Sequence, residues 1–190
     1  MALLPSLPDP AHLADLLRAH PDGAPELMAF TDVVMRGPGE LPVPTRELIA
    51  AHVSALNACR FCAQSHEVYA RAYGVEEGTL AALLDDPESA PVEPSLPPLL
   101  SYCARLSGLP SKLVRSDADE VLSAGWSDRA LFEAVRIAAL FAFYNRLVEG
   151  CGVDFDYEAE PARHPAADGL PPDHDRTYAA FGERIAQERA

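Results

Sequence analysis

The sequence holds a single lysine, Lys112, and its fourteen arginines are scattered along the 190 residues rather than gathered on one stretch. Neutralising phosphates takes a basic face, so nucleic-acid binding is not expected. Acidic residues outnumber basic ones 29 to 15, a net charge of −14. Such a balance concerns solubility and repulsion from anionic membranes rather than chemistry. Long apolar runs are missing too. The longest, Ile137 to Phe143, is about a third of the roughly 20 residues that a bilayer span needs, so no membrane partner is expected. The N-terminus has no basic region and is broken by prolines, unlike a secretory signal, which makes the cytoplasm the expected location. Cysteine is scarce. Cys59, Cys62, Cys103 and Cys151 are too few for a disulfide scaffold at this length, and in a reducing compartment a close pair points to redox or metal chemistry.

Alternation with period two is almost absent as well, and helical periodicity takes its place; the expected fold is all-α. Leu13, Leu16 and Leu17 form one face of a helix over residues 10–20, and a second fits Pro25 to Met35, ended by Gly37-Pro38-Gly39. Thr45 is placed to cap a third, striped by Leu48, Ile49, Val53 and Leu56. Asn57 interrupts it, and a fourth helix is expected from Cys59 to Tyr73, with Gly74 beyond its end. A short helix at 76–84 and a stretch with five prolines between Asp85 and Pro98 lead to helices near 96–107, 117–124 and 127–149. Ser116 and Ser127 are placed to cap the last two, and Gly150 and Gly152 to end the final one. That helix is apolar nearly all round from Val135 to Phe143, as befits a central helix or a subunit contact. Residues 1–155 make the helical domain and 156–190 an acidic, Pro-rich tail with a terminal helix.

Chemistry concentrates in one segment. Cys59 and Cys62 form a CxxC pair, followed four residues later by His66. On a helix these three share a face, and a helix N-terminus stabilises a thiolate. His66 stands one turn beyond Cys62, where it can move a proton directly or through water. Glu47 lies on the preceding helix, from which it can orient that imidazole. Thiol, imidazole and carboxylate together follow the logic of nucleophile, base and orienter. Three other readings compete: a pair kept for packing alone, a zinc site completed by Cys103 or Cys151, and an ordinary solvated Glu47 and His66. A c-type haem is excluded, because Ala63 and not histidine follows the second cysteine. Cys103 and Cys151 are expected as small apolar fillers.

These residues resemble a known family. Arg46-Glu47-Leu-Ile, then Asn57-x-Cys59-x-x-Cys62-x-x-x-His66, then Ala70-Arg-x-x-Gly74-Val are similar to the AhpD-like branch of the carboxymuconolactone decarboxylase superfamily. Ala124-Gly-Trp-Ser-Asp128 and Asn145-Arg146-Leu-Val-x-Gly150 resemble its peroxidase-related, alkylhydroperoxidase-like subgroup. The resemblance implies an all-helical, homo-oligomeric protein, dimer to hexamer, that reduces a hydroperoxide at the expense of an unidentified thiol reductant, with no cofactor or metal. It implies Cys62 as the peroxidatic thiol, Cys59 as the resolving one, and Glu47 and His66 as the proton relay. The helix-dipole argument alone favours Cys59 as the more activated thiol. AhpD itself carries a further histidine directly before the second cysteine, where Phe61 stands here. A relay must therefore run through His66, Glu47 and water, or through His52 on the Glu47 helix. Two other functions stay in view: a non-catalytic redox sensor or oligomeric binding protein, and a decarboxylase of the kind that names the superfamily.

Overall fold

A computed structural model of the chain describes residues 1–108 and 111–189, and among these the fold is all-α, as expected. Nine helices follow one another: α1 (Leu13–Ala19), α2 (Ala24–Met35), α3 (Val43–Leu56), α4 (Arg60–Ala72), α5 (Thr79–Asp85), α6 (Leu96–Ser107), α7 (Arg115–Ser123), α8 (Asp128–Cys151) and α9 (Thr177–Arg189). A 3-10 turn, Pro161–Arg163, interrupts the segment before α9. No described helix is long and apolar enough to cross a membrane.

Helix α3 lies at the centre and packs against α4, α6 and α8, while α9 packs against α2. Three of the four residues of the stripe read from the sequence are the reason: Leu48, Ile49, Val53 and their alanine neighbours are buried together with Leu99, Leu100 and Ile137, while Leu56 is 48% exposed at the helix end. Burying an apolar side chain stabilises by about 1.5–3 kcal/mol relative to leaving it in water, so this stripe decides where α3 must sit.

Several helix starts differ from expectation, each for a local reason. Helix α3 begins at Val43, before Thr45, because Pro42 and Pro44 suit a first turn whose N–H groups have no helical partner. Helix α7 begins at Arg115 rather than after Ser116, since the Asp117 carboxylate reaches back to accept from the Val114 N–H at 2.7 Å. Helix α1 begins after Pro10, with the His12 ring as its cap: Nδ1 accepts from the Ala14 N–H at 2.9 Å. Gly150 lies inside α8, and Gly152, in a left-handed conformation, ends it. Ser127 caps α8 as expected, accepting from the Ala130 N–H at 3.0 Å.

Two features place the future site. The loop between α2 and α3 is bolted by Arg46, which donates to the carbonyls of Val34, Gly37 and Leu41. Glu133 of α8 meets the same loop, accepting from the Glu40 and Leu41 N–H groups. The chain after α8 then folds back over α4. Gln64 exchanges hydrogen bonds with Asp156 and the Tyr157 N–H, and Phe155 and Tyr157 are buried. Gly182 lets α9 lie close on α2, since a Cβ there would come within 2.8 Å of Met28 Cβ.

Candidate active site

The turn between α3 and α4 sets the cysteines. Ala58 takes a left-handed φ of 57°, which ends α3 and redirects the chain. Cys59 therefore stands at the cap position just before α4 instead of inside it, correcting the helix expected from Cys59 to Tyr73. Cys62 and His66 are in the helix, one turn apart. An asparagine of α8 holds the turn: Asn145 accepts from Asn57 at 2.9 Å and donates to Ser54 Oγ at 3.0 Å. Its side chain also hydrogen-bonds the Cys62 sulfur. In the sequence Asn145 belongs to a subgroup motif without a chemical role; the fold brings it to the thiol.

Both cysteines are buried, free and hydrogen-bonded to each other. The bond from Cys62 draws the Cys59 thiol below the ordinary range, against burial and the nearby Glu149 carboxylate. The same bond and burial push Cys62 well up. A single thiolate in the pair thus rests on Cys59, as the helix-dipole argument favours. Only Cys62, however, lines the adjoining cavity.

That cavity, of about 280 Å³, is mostly apolar, with Phe61, Phe141, Tyr144 and Tyr157 in its walls, and Cys62, Ser65 and His66 enter it from α4. Residues of the chain's end, Tyr178 and Phe181 among them, close over it. The Tyr178 hydroxyl is buried without a hydrogen-bond partner among the described residues. Tyr144 is already engaged. Thr31 donates to the Leu27 carbonyl at 2.8 Å, so the Tyr144 hydroxyl, 2.6 Å away, donates to Thr31.

Glu47 and His66 meet as the sequence suggests. His66 Nδ1–H donates to Glu47 Oε2 at 2.5 Å, leaving Nε2 as the ring's free nitrogen on a side chain that lines the cavity. Glu47 is 0% exposed, and burial alone would keep it protonated. Arg36 and His66 more than offset that, holding the carboxyl below the usual glutamate range. Arg36 is the residue that sequence reasoning missed. Its side chain is 2% exposed and ion-paired to Glu47 Oε1. Its guanidinium carbon lies 5.5, 5.3 and 5.2 Å from the ring centres of Tyr69, Tyr73 and Tyr178, a cation-π cage. Its Nε donates to the His174 carbonyl at 3.0 Å. The chain beyond α8 therefore helps hold the relay carboxylate in place.

His52, the alternative relay partner, stands apart. It is buried, its Nδ1 has no partner among the described residues, and burial lowers its pKa to about 4. Cys103 is fully buried near the Ala134 carbonyl, its thiol pushed up to about 12 by burial, and Cys151 is half-buried. Among the described residues no three His, Cys, Asp or Glu side chains gather as a metal-binding set, so neither Cys103 nor Cys151 completes a zinc site with the pair.

Residues 21–92 match the model of the carboxymuconolactone decarboxylase family. No curated protein matches the chain. Among solved structures, it is similar to an uncharacterized peroxidase-related protein from Silicibacter sp. TM1040, with a TM-score of 0.70 and 20% identity over 77% of this chain and 76% of that one. It is similar also to an uncharacterized peroxidase-related protein from Ralstonia eutropha JMP134, described as an alkylhydroperoxidase AhpD core, with a TM-score of 0.70 and 23% identity over 78% of each chain. At such identities the likeness is one of fold. The matched segment is thus similar to the carboxymuconolactone decarboxylase family, and the chain has the AhpD-like fold.

Proposed function

We propose that the protein is a thiol-dependent peroxidase, a disulfide oxidoreductase that reduces hydroperoxides with the Cys59–Cys62 pair. The observation that carries this reading is the convergence of Cys62 and a Glu47-oriented His66 on one apolar cavity.

The chemistry balances as follows. His66 Nε2 takes one proton from the dithiol, and Glu47 stabilises the imidazolium. The remaining proton moves from Cys62 to Cys59, which puts the thiolate at the cavity wall. Cys62 sulfur attacks the terminal oxygen of the hydroperoxide; the S–O bond forms, the O–O bond breaks, and sulfur is oxidised by two electrons to a sulfenic acid. The leaving alkoxide takes the proton from His66. Cys59 then condenses with the sulfenic acid, releasing water, and a dithiol reductant restores the pair. Phe61 offers no proton, so the relay rests on His66 and Glu47. The pair works in a reducing compartment, where such a reductant is at hand.

Consumption of tert-butyl hydroperoxide with dithiothreitol should fall by about 10⁴-fold or more in Cys62→Ser, as removal of a covalent nucleophile does. Unchanged turnover would overturn the scheme. One oxidation without cycling would point to a redox sensor, and γ-lactone chemistry surviving loss of both cysteines to a decarboxylase. Self-association belongs to the same reading. Helix α8 buries most of its apolar surface inside the chain but leaves Phe132 58% and Phe143 50% exposed. Sedimentation should show at least a dimer, and a monomer at micromolar concentration would refute it.

A further inference from the structure

A second polar network also reaches the cavity, and its protons can be placed from backbone geometry. The Ala14 N–H donates to His12 Nδ1 at 2.9 Å, and the Ala166 N–H donates to His164 Nδ1 at 3.1 Å. A ring nitrogen that accepts carries no proton, so in each neutral ring the proton sits on Nε2. Both rings are neutral at pH 7, since burial lowers His12 and brings His164 to about 4. His12 Nε2–H donates to the Tyr157 oxygen at 2.6 Å. The Tyr157 ring in turn packs edge-on against the His164 ring, their centres 4.8 Å apart. His164 Nε2–H donates to Ser65 Oγ at 3.1 Å. Ser65 Oγ thus accepts from a donor whose proton is fixed in place.

A hydroxyl that accepts still has its one proton to give. Helical serines and threonines commonly give it to the carbonyl four residues back. Thr31 and Ser107 do so here, to Leu27 and Cys103. Ser65 makes no such bond among the described residues, and its side chain lines the cavity three residues from Cys62. Residues at that spacing on a helix stand about 5–6 Å apart at Cβ. The accepted bond also polarises the hydroxyl and strengthens it as a donor.

We propose that Ser65 is a catalytic residue: its hydroxyl, held by His164, donates a hydrogen bond to the alkoxide oxygen that leaves when Cys62 attacks the O–O bond. The proposal rests on the peroxidase reading and adds to it. His66 and Ser65 divide the work, the first carrying the proton and the second stabilising the charge that develops before the proton arrives. Ser65 loses no proton, so the balance of atoms given above is unaltered.

The test is single-turnover oxidation of Cys62, followed by mass mapping, with two oxidants of different leaving group. Tert-butyl hydroperoxide expels a strongly basic alkoxide; peracetic acid expels acetate, which needs little help. Ser65→Ala should slow the first reaction by about 10²-fold, the usual effect of removing an oxyanion donor, and the second by less than about threefold. Ser65→Thr, which keeps the hydroxyl, should restore most of the lost rate. Alkylation of Cys62 by iodoacetamide reads the nucleophile alone and should not change. Equal slowing with both oxidants, or none with either, would overturn the role of Ser65 and leave the peroxidase reading standing. A wild-type protein whose Cys62 resists both oxidants would bring down the peroxidase reading and the role of Ser65 with it.

Discussion

Two polar networks converge on α4, and they are built on opposite principles. On one side, Arg36, Glu47 and His66 form a buried ionic arrangement, in which a caged guanidinium keeps a fully buried carboxylate charged. On the other, His12, Tyr157, Ser65 and His164 form a neutral one, ordered by backbone N–H groups that fix which ring nitrogen carries the proton. A charge in a dry interior must be paired or it destabilises the fold, whereas a neutral network need only be satisfied. The ionic side is therefore suited to holding a proton carrier, and the neutral side to presenting a donor that does not ionise.

The comparison breaks most readily at Arg36. Arg36→Met leaves Glu47 buried beside His66 without its main counter-charge, and breaking a buried pair from one side costs about 3–5 kcal/mol. Urea unfolding should show a loss of that order, and infrared spectroscopy should show the Glu47 carboxyl taking up a proton at higher pH than in the wild type. Stability within 1 kcal/mol of wild type would mean that the guanidinium is dispensable. The two sides would then not differ as described.

Acidification probes the buried neutral histidines, His12 and His164 of the neutral side and His52 apart from both. His12, His52 and His164 have lowered pKa values, those of His52 and His164 at about 4, against about 6.5 in an unfolded chain. Between those values the unfolded state binds more protons. Their contribution is therefore complete above pH 6.5 and is lost as the pH falls toward 4. From pH 7 to 5 each of His52 and His164 should cost on the order of 1–2 kcal/mol of stability. Glu47 acts lower: its folded pKa lies below the unfolded one, so its contribution fades only as the pH falls through the acid range beneath about 4.3. Unfolding at pH 7, 6 and 5 should show the histidine slope in wild type and a reduced one in His164→Gln. A flat profile across that window would contradict the neutral assignment and the tautomers derived from it.

The ionic side was the more legible in sequence, for a physical reason. Glu47, Cys59, Cys62 and His66 fall within 20 residues of each other on two consecutive helices, where spacing alone relates side chains. The all-α fold was legible on the same ground, since the stripe on α3 carries the core. Arg36 was not, because it reaches Glu47 across a loop held by Arg46 and Glu133, and its other partners come from α4 and the chain's end. Nothing in the spacing relates His12 to Tyr157, 145 residues on, or Ser65 to His164, 99 residues on. The position of Cys59 outside α4 turned on one backbone angle at Ala58, a residue type that signals nothing of the kind. Helix starts slipped by three residues at α3 and two at α7, where a proline or a back-reaching Asp117 outweighed the threonine or serine nearby.

The finest expected effect concerns whether the two networks are independent. His12→Ala removes the cap of α1 and the bond to Tyr157, and loss of a cap costs about 1 kcal/mol. Arg36→Lys keeps the charge beside Glu47 but gives up the bond from Nε to the His174 carbonyl. These sites share no hydrogen-bond partner, so their effects on unfolding should add to within about 0.5 kcal/mol in a double-mutant cycle. Both, however, touch the segment between α8 and α9, His12 at Tyr157 and Arg36 at His174. A coupling above about 1 kcal/mol would show that this segment transmits strain between them, making one network of two. Additivity would mean that the carboxylate side and the hydroxyl side can be altered separately, which is the condition for assigning proton carriage to His66 and charge stabilisation to Ser65.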